Sequence, residues 1–96
     1  MRLSLVGLKA LRFFLEHPGW FSGADINRAI DVAPGTLYPL LARLESKKWA
    51  TSKWEDINPK KIGRPQRHLY KLTPKGTRKA RAVLHEFQIA PHPAEP

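Results

Sequence analysis

The sequence predicts a mainly α-helical domain carrying a small β-hairpin. Three observations predict it. Apolar side chains recur every three or four residues in four separate stretches. Two short runs of strand-forming residues bracket a basic segment containing glycine and proline. Residues that cap helices stand just ahead of the helical stretches.

The first helix is expected from about Leu3 to His17, with Leu5, Leu8, Leu11, Phe14 and Leu15 as its apolar stripe and Pro18-Gly19 as its stop. Phe13 lies off the centre of that stripe, which suits a second contact surface. Ser22 and Asp25 then form an S-x-x-D pattern, in which hydroxyl and carboxylate take up free N–H groups of a first turn. The second helix spans about Gly23 to Ile30, with Ile26, Ala29 and Ile30 facing inward, and Asp31-Val32-Ala33 is the turn. A third helix starts at Pro34, where a missing N–H costs nothing. It sets Leu37, Leu40, Leu41 and Leu44 inward and Thr36, Pro39, Ala42 and Arg43 outward, with Tyr38 at the flank. Pro39 has two readings, a stiff surface that presses on a partner or a kink tolerated above Gly35.

Strands are expected over Trp49–Trp54 and Arg67–Leu72, with Glu55 to Gln66 as the loop between them. Thr73-Pro74 opens a last helix whose stripe is Ala80, Val83, Leu84 and Phe87. A helix-turn-helix followed directly by a hairpin and a further helix is a winged helix-turn-helix: three-helix core, two-stranded wing, C-terminal helix. The expected domain is residues 1–89, its C-terminal helix 74–89, and residues 90–96 form a loose tail.

The net charge is +9, unevenly spread. Residues 1–42 carry four basic and three acidic side chains, and residues 43–81 carry thirteen basic and three acidic ones. A polyanion is the natural partner of such a field. An anionic membrane, an acidic protein or a merely solvated basic face are the alternatives that charge leaves open. The end of helix three, the hairpin loop and the start of helix four are the basic elements. A helix fits the major groove, and a cationic loop beside it can follow phosphates or enter the minor groove. Gly63-Arg64-Pro65 suits that second use, an ordinary exposed turn being the alternative.

Enzymatic readings find little support. There is no cysteine, which excludes disulfides, thiolate metal sites and thiol catalysis. His17, His68, His85 and His92 are scattered without metal-ligand spacing, and no phosphate loop or nucleophile elbow is present. His85 and Glu86 read as surface residues. Trp20, Trp49 and Trp54 read as core or core-edge residues. No apolar run is long enough to span a membrane or act as a secretory signal. A cytoplasmic, cofactor-free and metal-free DNA-binding protein is expected.

Gly35-Thr36-Leu37-Tyr38-Pro39-Leu40-Leu41, Arg43-Leu44-Glu45, Gly63-Arg64-Pro65 and Tyr70-Lys71-Leu72-Thr73-Pro74-Lys75-Gly76 together resemble the signature of PadR-type transcriptional regulators. The resemblance covers roughly residues 5–88. It implies a winged-helix repressor acting as a homodimer on palindromic operators, with a small-molecule effector in many members. It further implies that helix three is the recognition helix and residues 57–66 the wing. Two departures stand out: Lys48 occupies a helix end where the family commonly has glycine, and a single C-terminal helix follows the wing where longer members carry more. The expected DNA contacts are Thr36, Tyr38, Pro39 and Arg43 on helix three and Lys60, Lys61, Arg64 and Arg67 on the wing. Ser22 and Lys47 are candidate phosphate contacts. Leu8, Phe13, Val83, Leu84 and Phe87 are candidates for the dimer interface. A winged-helix protein-interaction module and a non-specific architectural DNA-binding protein are the rival functions.

Overall fold

The computed structural model describes residues 3–87, and most of its helices begin where a side chain satisfies the free N–H groups of the first turn. Ser4 accepts from the Gly7 N–H at 3.2 Å and opens α1, Leu5–Glu16. A two-residue strand β1, Phe21–Ser22, leads into α2, Gly23–Ile30. Here Ser22 Oγ accepts from the Asp25 N–H at 3.1 Å, and the Asp25 carboxylate accepts from the Ser22 N–H at 3.2 Å. Next, α3 covers Pro34–Ser46, with Ala33 as an N-cap that makes no side-chain bond and Pro34 at the first helical position. The hairpin strands β2, Ala50–Trp54, and β3, His68–Leu72, flank a single-turn helix α4, Pro59–Ile62. Thr73 caps α5, Pro74–Glu86, by accepting from the Gly76 N–H at 2.9 Å.

The strands form one antiparallel sheet in the order β1-β3-β2, pairing Phe21 with Tyr70, Ala50 with Leu72 and Trp54 with His68. One helical layer and one small sheet enclose a single core, a winged-helix fold. Leu11, Ile26, Leu37, Leu41 and Leu44 are its fully buried centre. Burying such side chains stabilises the domain by about 1.5–3 kcal/mol each. Trp49, Ala50, Tyr70 and Leu72 close the core from the sheet side.

Several expectations are corrected. Helix one starts at Leu5, and Leu5 is 63% exposed despite its place in the stripe, because the first turn faces the core with Val6, Gly7 and Leu8 instead. Phe13 is buried: its ring stacks on His17 at 4.6 Å and meets Phe21 edge-on at 5.0 Å. Ala29 is exposed, leaving Ile26 as the buried apolar anchor of α2. The sheet has a third strand, β1, which two residues cannot announce by alternation. The expected loop between the hairpin strands contains α4, with Asn58 accepting from the Lys60 N–H at 3.0 Å and Gly63 at the C-cap. Its Asn-Pro start and glycine stop were both present in the sequence. The last helix ends at Glu86 with Phe87 as its cap, and the expected tail, 90–96, lies outside the described residues.

Lys48 adopts φ +65°, the left-handed region. Its N–H donates to the Glu45 carbonyl at 3.0 Å, while the Trp49 N–H donates to the Leu44 carbonyl at 2.9 Å. These two bonds are a Schellman ending, which favours glycine at the left-handed position. A lysine there carries Cβ strain of about 1–2 kcal/mol, partly offset by the extra freedom glycine has when unfolded. Lys48→Gly is therefore expected to stabilise the domain by about 0.5–1 kcal/mol, read as an upward shift of the thermal midpoint.

Candidate nucleic-acid interface

Burial of Leu37, Leu40, Leu41 and Leu44 fixes the rotation of α3 and turns Thr36, Tyr38, Pro39, Ala42 and Arg43 outward. All five are exposed, so the ridge expected from the sequence stands free on the surface. The helix continues through Pro39 to Ser46. Tyr38 lies at the edge of the ridge, its ring over Gly23, where any Cβ would collide with it. That contact ties the ridge to the start of α2. Lys47 is exposed at the end of α3. Ser22 is buried, and its oxygen is committed to the α2 cap, which leaves it poorly placed for the phosphate contact also expected of it.

The wing is held by Glu55. Its carboxylate accepts from Arg64 Nη1 at 2.7 Å and Nη2 at 3.2 Å, a bidentate pair, and from the Arg67 N–H at 2.9 Å. The Glu55 N–H donates to the Arg67 carbonyl at 2.9 Å, and Gln66 Nε2 donates to the Glu55 carbonyl at 2.7 Å. These bonds close the base of a loop that would otherwise be slack, and α4 then presents Lys60 and Lys61, both exposed, near its tip. Arg64, expected to reach DNA, is instead engaged inside the wing. Arg67 is exposed beside it.

The Arg64 guanidinium, helped by the Arg67 N–H, holds the Glu55 carboxyl below its ordinary range, and Glu55 in turn raises Arg64. A depressed carboxylate contributes order above its ordinary pKa and loses it as pH falls through the folded value. Acidification from neutrality to below the usual carboxylate range is thus expected to lower the protection factor of the Arg67 amide, its exchange rate measured against the intrinsic rate at each pH. Glu55→Gln should show the lowered protection already at neutral pH.

Not all the basic charge gathers on this side. Lys53 Nζ sits 4.4 Å from the centre of the Trp20 ring and Lys71 Nζ 5.6 Å from it, both cation–π contacts. By strand alternation they occupy the sheet face opposite Ser52 and Tyr70. Lys71 and Arg81 also border a shallow concavity of about 200 Å³ together with Phe14, Leu15 and Leu72. Of the candidates for self-association, Leu8, Phe13 and Leu84 are buried within the chain itself, Val83 is half-buried and Phe87 is 59% exposed.

Sequence reasoning missed Glu55 and the pairing of Trp54 with His68, and Trp54, expected in the core or at its edge, is 61% exposed. Glu55 opens a basic segment, and the acidic pair Glu55-Asp56 at the head of a cationic loop was the available signal. Trp54 and His68 face each other only once the register is known.

The model of the transcriptional regulator PadR-like family matches residues 24–82. The chain belongs to this family. Among solved structures, a PadR-like transcription factor from Bacteroides fragilis is 24% identical, with a TM-score of 0.73 over 88% of this chain and 82% of the other. A transcriptional regulator homologue from Pyrococcus horikoshii OT3 is 19% identical, with a TM-score of 0.72 over 88% and 77%. A PadR family transcriptional regulator from Eggerthella lenta DSM 2243 is 23% identical, with a TM-score of 0.70 over 86% and 74%. At these identities the likeness is one of fold. No curated protein matches the chain at a significant level.

The PadR-like signature of this chain has physical reasons. Thr73 Oγ1 donates to the Lys48 carbonyl at 2.6 Å and its N–H to the Trp49 carbonyl at 3.0 Å. These bonds dock the start of α5 on the end of α3, and Gly76 lets the two backbones touch. The Tyr70-to-Gly76 run is thus the joint between the wing and the helical layer of this PadR-like domain. No helix among the described residues is long and apolar enough to cross a membrane.

Proposed function

We propose that this PadR-like protein is a cytoplasmic, sequence-specific double-stranded DNA-binding regulator that acts as a homodimeric repressor without catalysis of its own. The observation that carries the reading is the exposed ridge Thr36–Arg43 beside a wing buckled by Glu55 and Arg64 and tipped with Lys60 and Lys61. In this reading Thr36, Pro39 and Arg43 meet base edges in the major groove, where arginine pairs with guanine. Lys47, Lys60, Lys61 and Arg67 meet phosphates, and Arg64 keeps the wing in shape. A homodimer is supported by family membership and by Leu5 and Phe87, both exposed, on the two helices α1 and α5 that pack on one another. For a small-molecule effector, a concavity of about 310 Å³ between α1 and α2, lined by Lys9, Phe13, His17 and Ile30, is of a size for a small ligand.

A protein-interaction module would be favoured by exposed Trp20, Phe21 or Phe13 in one apolar patch. Phe13 is buried, and Lys53 and Lys71 lie over Trp20. The deciding experiment is selection of bound fragments from a pool of the source genome. Enrichment of a palindromic site with half-sites about one helical turn apart is expected. Recovery of fragments in proportion to the input would point to architectural binding, and recovery of none would end the DNA reading.

A further inference from the structure

One face of the hairpin carries a row of aromatic rings. Ser52 Oγ donates to the Glu45 carboxylate at 2.6 Å, which turns the Ser52 face of the hairpin toward α3. Tyr70, opposite Ser52, belongs to that face, as do Trp54 and His68 by the two-residue period. The rings form a continuous column. Tyr70 and His68 lie 4.7 Å apart between centres, and His68 and Trp54 are stacked at 4.7 Å with planes 13° apart. The column runs from buried Tyr70 outward along the hairpin to Trp54, which is 61% exposed. On the helix side, Tyr38 and Glu45 lie seven residues apart on one flank, both close enough to Tyr70 to raise its pKa, after burial itself.

A tryptophan this exposed leaves a large apolar surface in water unless something covers it. Its position selects the cover. It lies on the α3-facing side of the hairpin, beyond the Ser52–Glu45 contact and before the loop that carries Lys60 and Lys61. The chemistry fits a deoxyribose face bordered by phosphate. Indole offers a flat apolar ring, and His68 offers a hydrogen-bond donor behind it. Tyr70 Oη is 3.2 Å from His68 Nδ1, and with the hydroxyl donating, the imidazole proton sits on Nε2, away from Tyr70.

We propose that Trp54, stacked on His68 on the α3-facing side of the hairpin, is a further DNA-contacting residue whose ring packs against the sugar–phosphate backbone. The proposal rests on the DNA-binding reading above and adds a non-ionic contact to it. Such a contact gives affinity without releasing counterions, so it leaves the salt dependence alone.

The test uses a fluorescein-labelled random-sequence duplex, followed by anisotropy and by tryptophan emission. Trp54→Ala is expected to weaken binding about three- to tenfold with an unchanged salt slope. Duplex is also expected to quench the emission of the wild-type protein, and Trp54→Phe, which keeps a ring on His68, to abolish that quench while retaining most of the affinity. A full quench surviving in Trp54→Phe, or wild-type affinity in a folded Trp54→Ala, would overturn the proposal. Absence of any duplex binding by the wild-type protein would instead strike down the DNA-binding reading, and this contact with it.

Discussion

Gly76→Ala is expected to cost about 2–4 kcal/mol and to lower the thermal midpoint by roughly 10–25 °C. A Cβ at this position would collide with the carbonyl oxygen of Trp49 and approach the carbonyl carbon at 2.6 Å. The obstacle is backbone, so no side chain can swing aside. Relief would require α5 to lift off the end of α3. That would stretch the Thr73 bonds to the Lys48 and Trp49 carbonyls and open the core beside Leu72 and Ala80. Gly35→Ala is the control. It places the same methyl group on a helix, in open space, and is expected to stabilise the domain by about 0.5–1 kcal/mol. Two identical substitutions should thus move the melting curve in opposite directions. Equal effects at the two sites would mean that the joint between α5 and Trp49 is not packed as described.

The largest functional effect is expected from Lys60→Ala with Lys61→Ala. Both side chains are exposed on α4, and neither contributes to the core. Removing two phosphate contacts should lower the slope of log affinity against log salt by about 1.8 and weaken binding tenfold or more at low salt. The melting curve should hardly move, since solvated surface substitutions fall within about 0.5 kcal/mol. Arg64→Ala should behave otherwise. Its guanidinium is paired with Glu55, so its loss is expected to loosen the wing, with faster amide exchange at Arg67 accompanying any fall in affinity. A loss of slope in Arg64→Ala with unchanged exchange would return that arginine to direct phosphate contact.

Much of the fold was legible because local rules and burial agreed. The leucines of α3 recur at helical spacing and are all buried, and Ser22 with Asp25 and Thr73 with Pro74 mark helix starts where the caps indeed form. Where they disagreed, the sequence misled. Leu5 shares a spacing of three with Leu8 and Leu11, yet it is turned to the flank of α1 while Val6 and Gly7 face the core. Phe13 breaks the period and is buried because His17 and Phe21 close over it. Strand β1 is too short for any period, and its pairing with β3 is decided by where α2 must start. The ridge of α3 could be read from helical geometry. The state of Arg64 could not, because its partner Glu55 lies nine residues away across a loop whose path depends on α4. Nor could the separation of the lysines: Lys53 and Lys71 share the charged stretch of sequence with Lys60 and Lys61, but strand alternation sends them to Trp20.

That division of charge offers the sharpest measurement, amide chemical shifts of the labelled protein during titration with duplex DNA. Shifts concentrated in Thr36–Arg43, in Asn58–Arg64 and at Trp54 and His68 are the expected result. Shifts centred on Trp20, Lys53, Lys71 and Arg81, with the α3 ridge silent, would place the duplex on the wrong side of the sheet and contradict the interface.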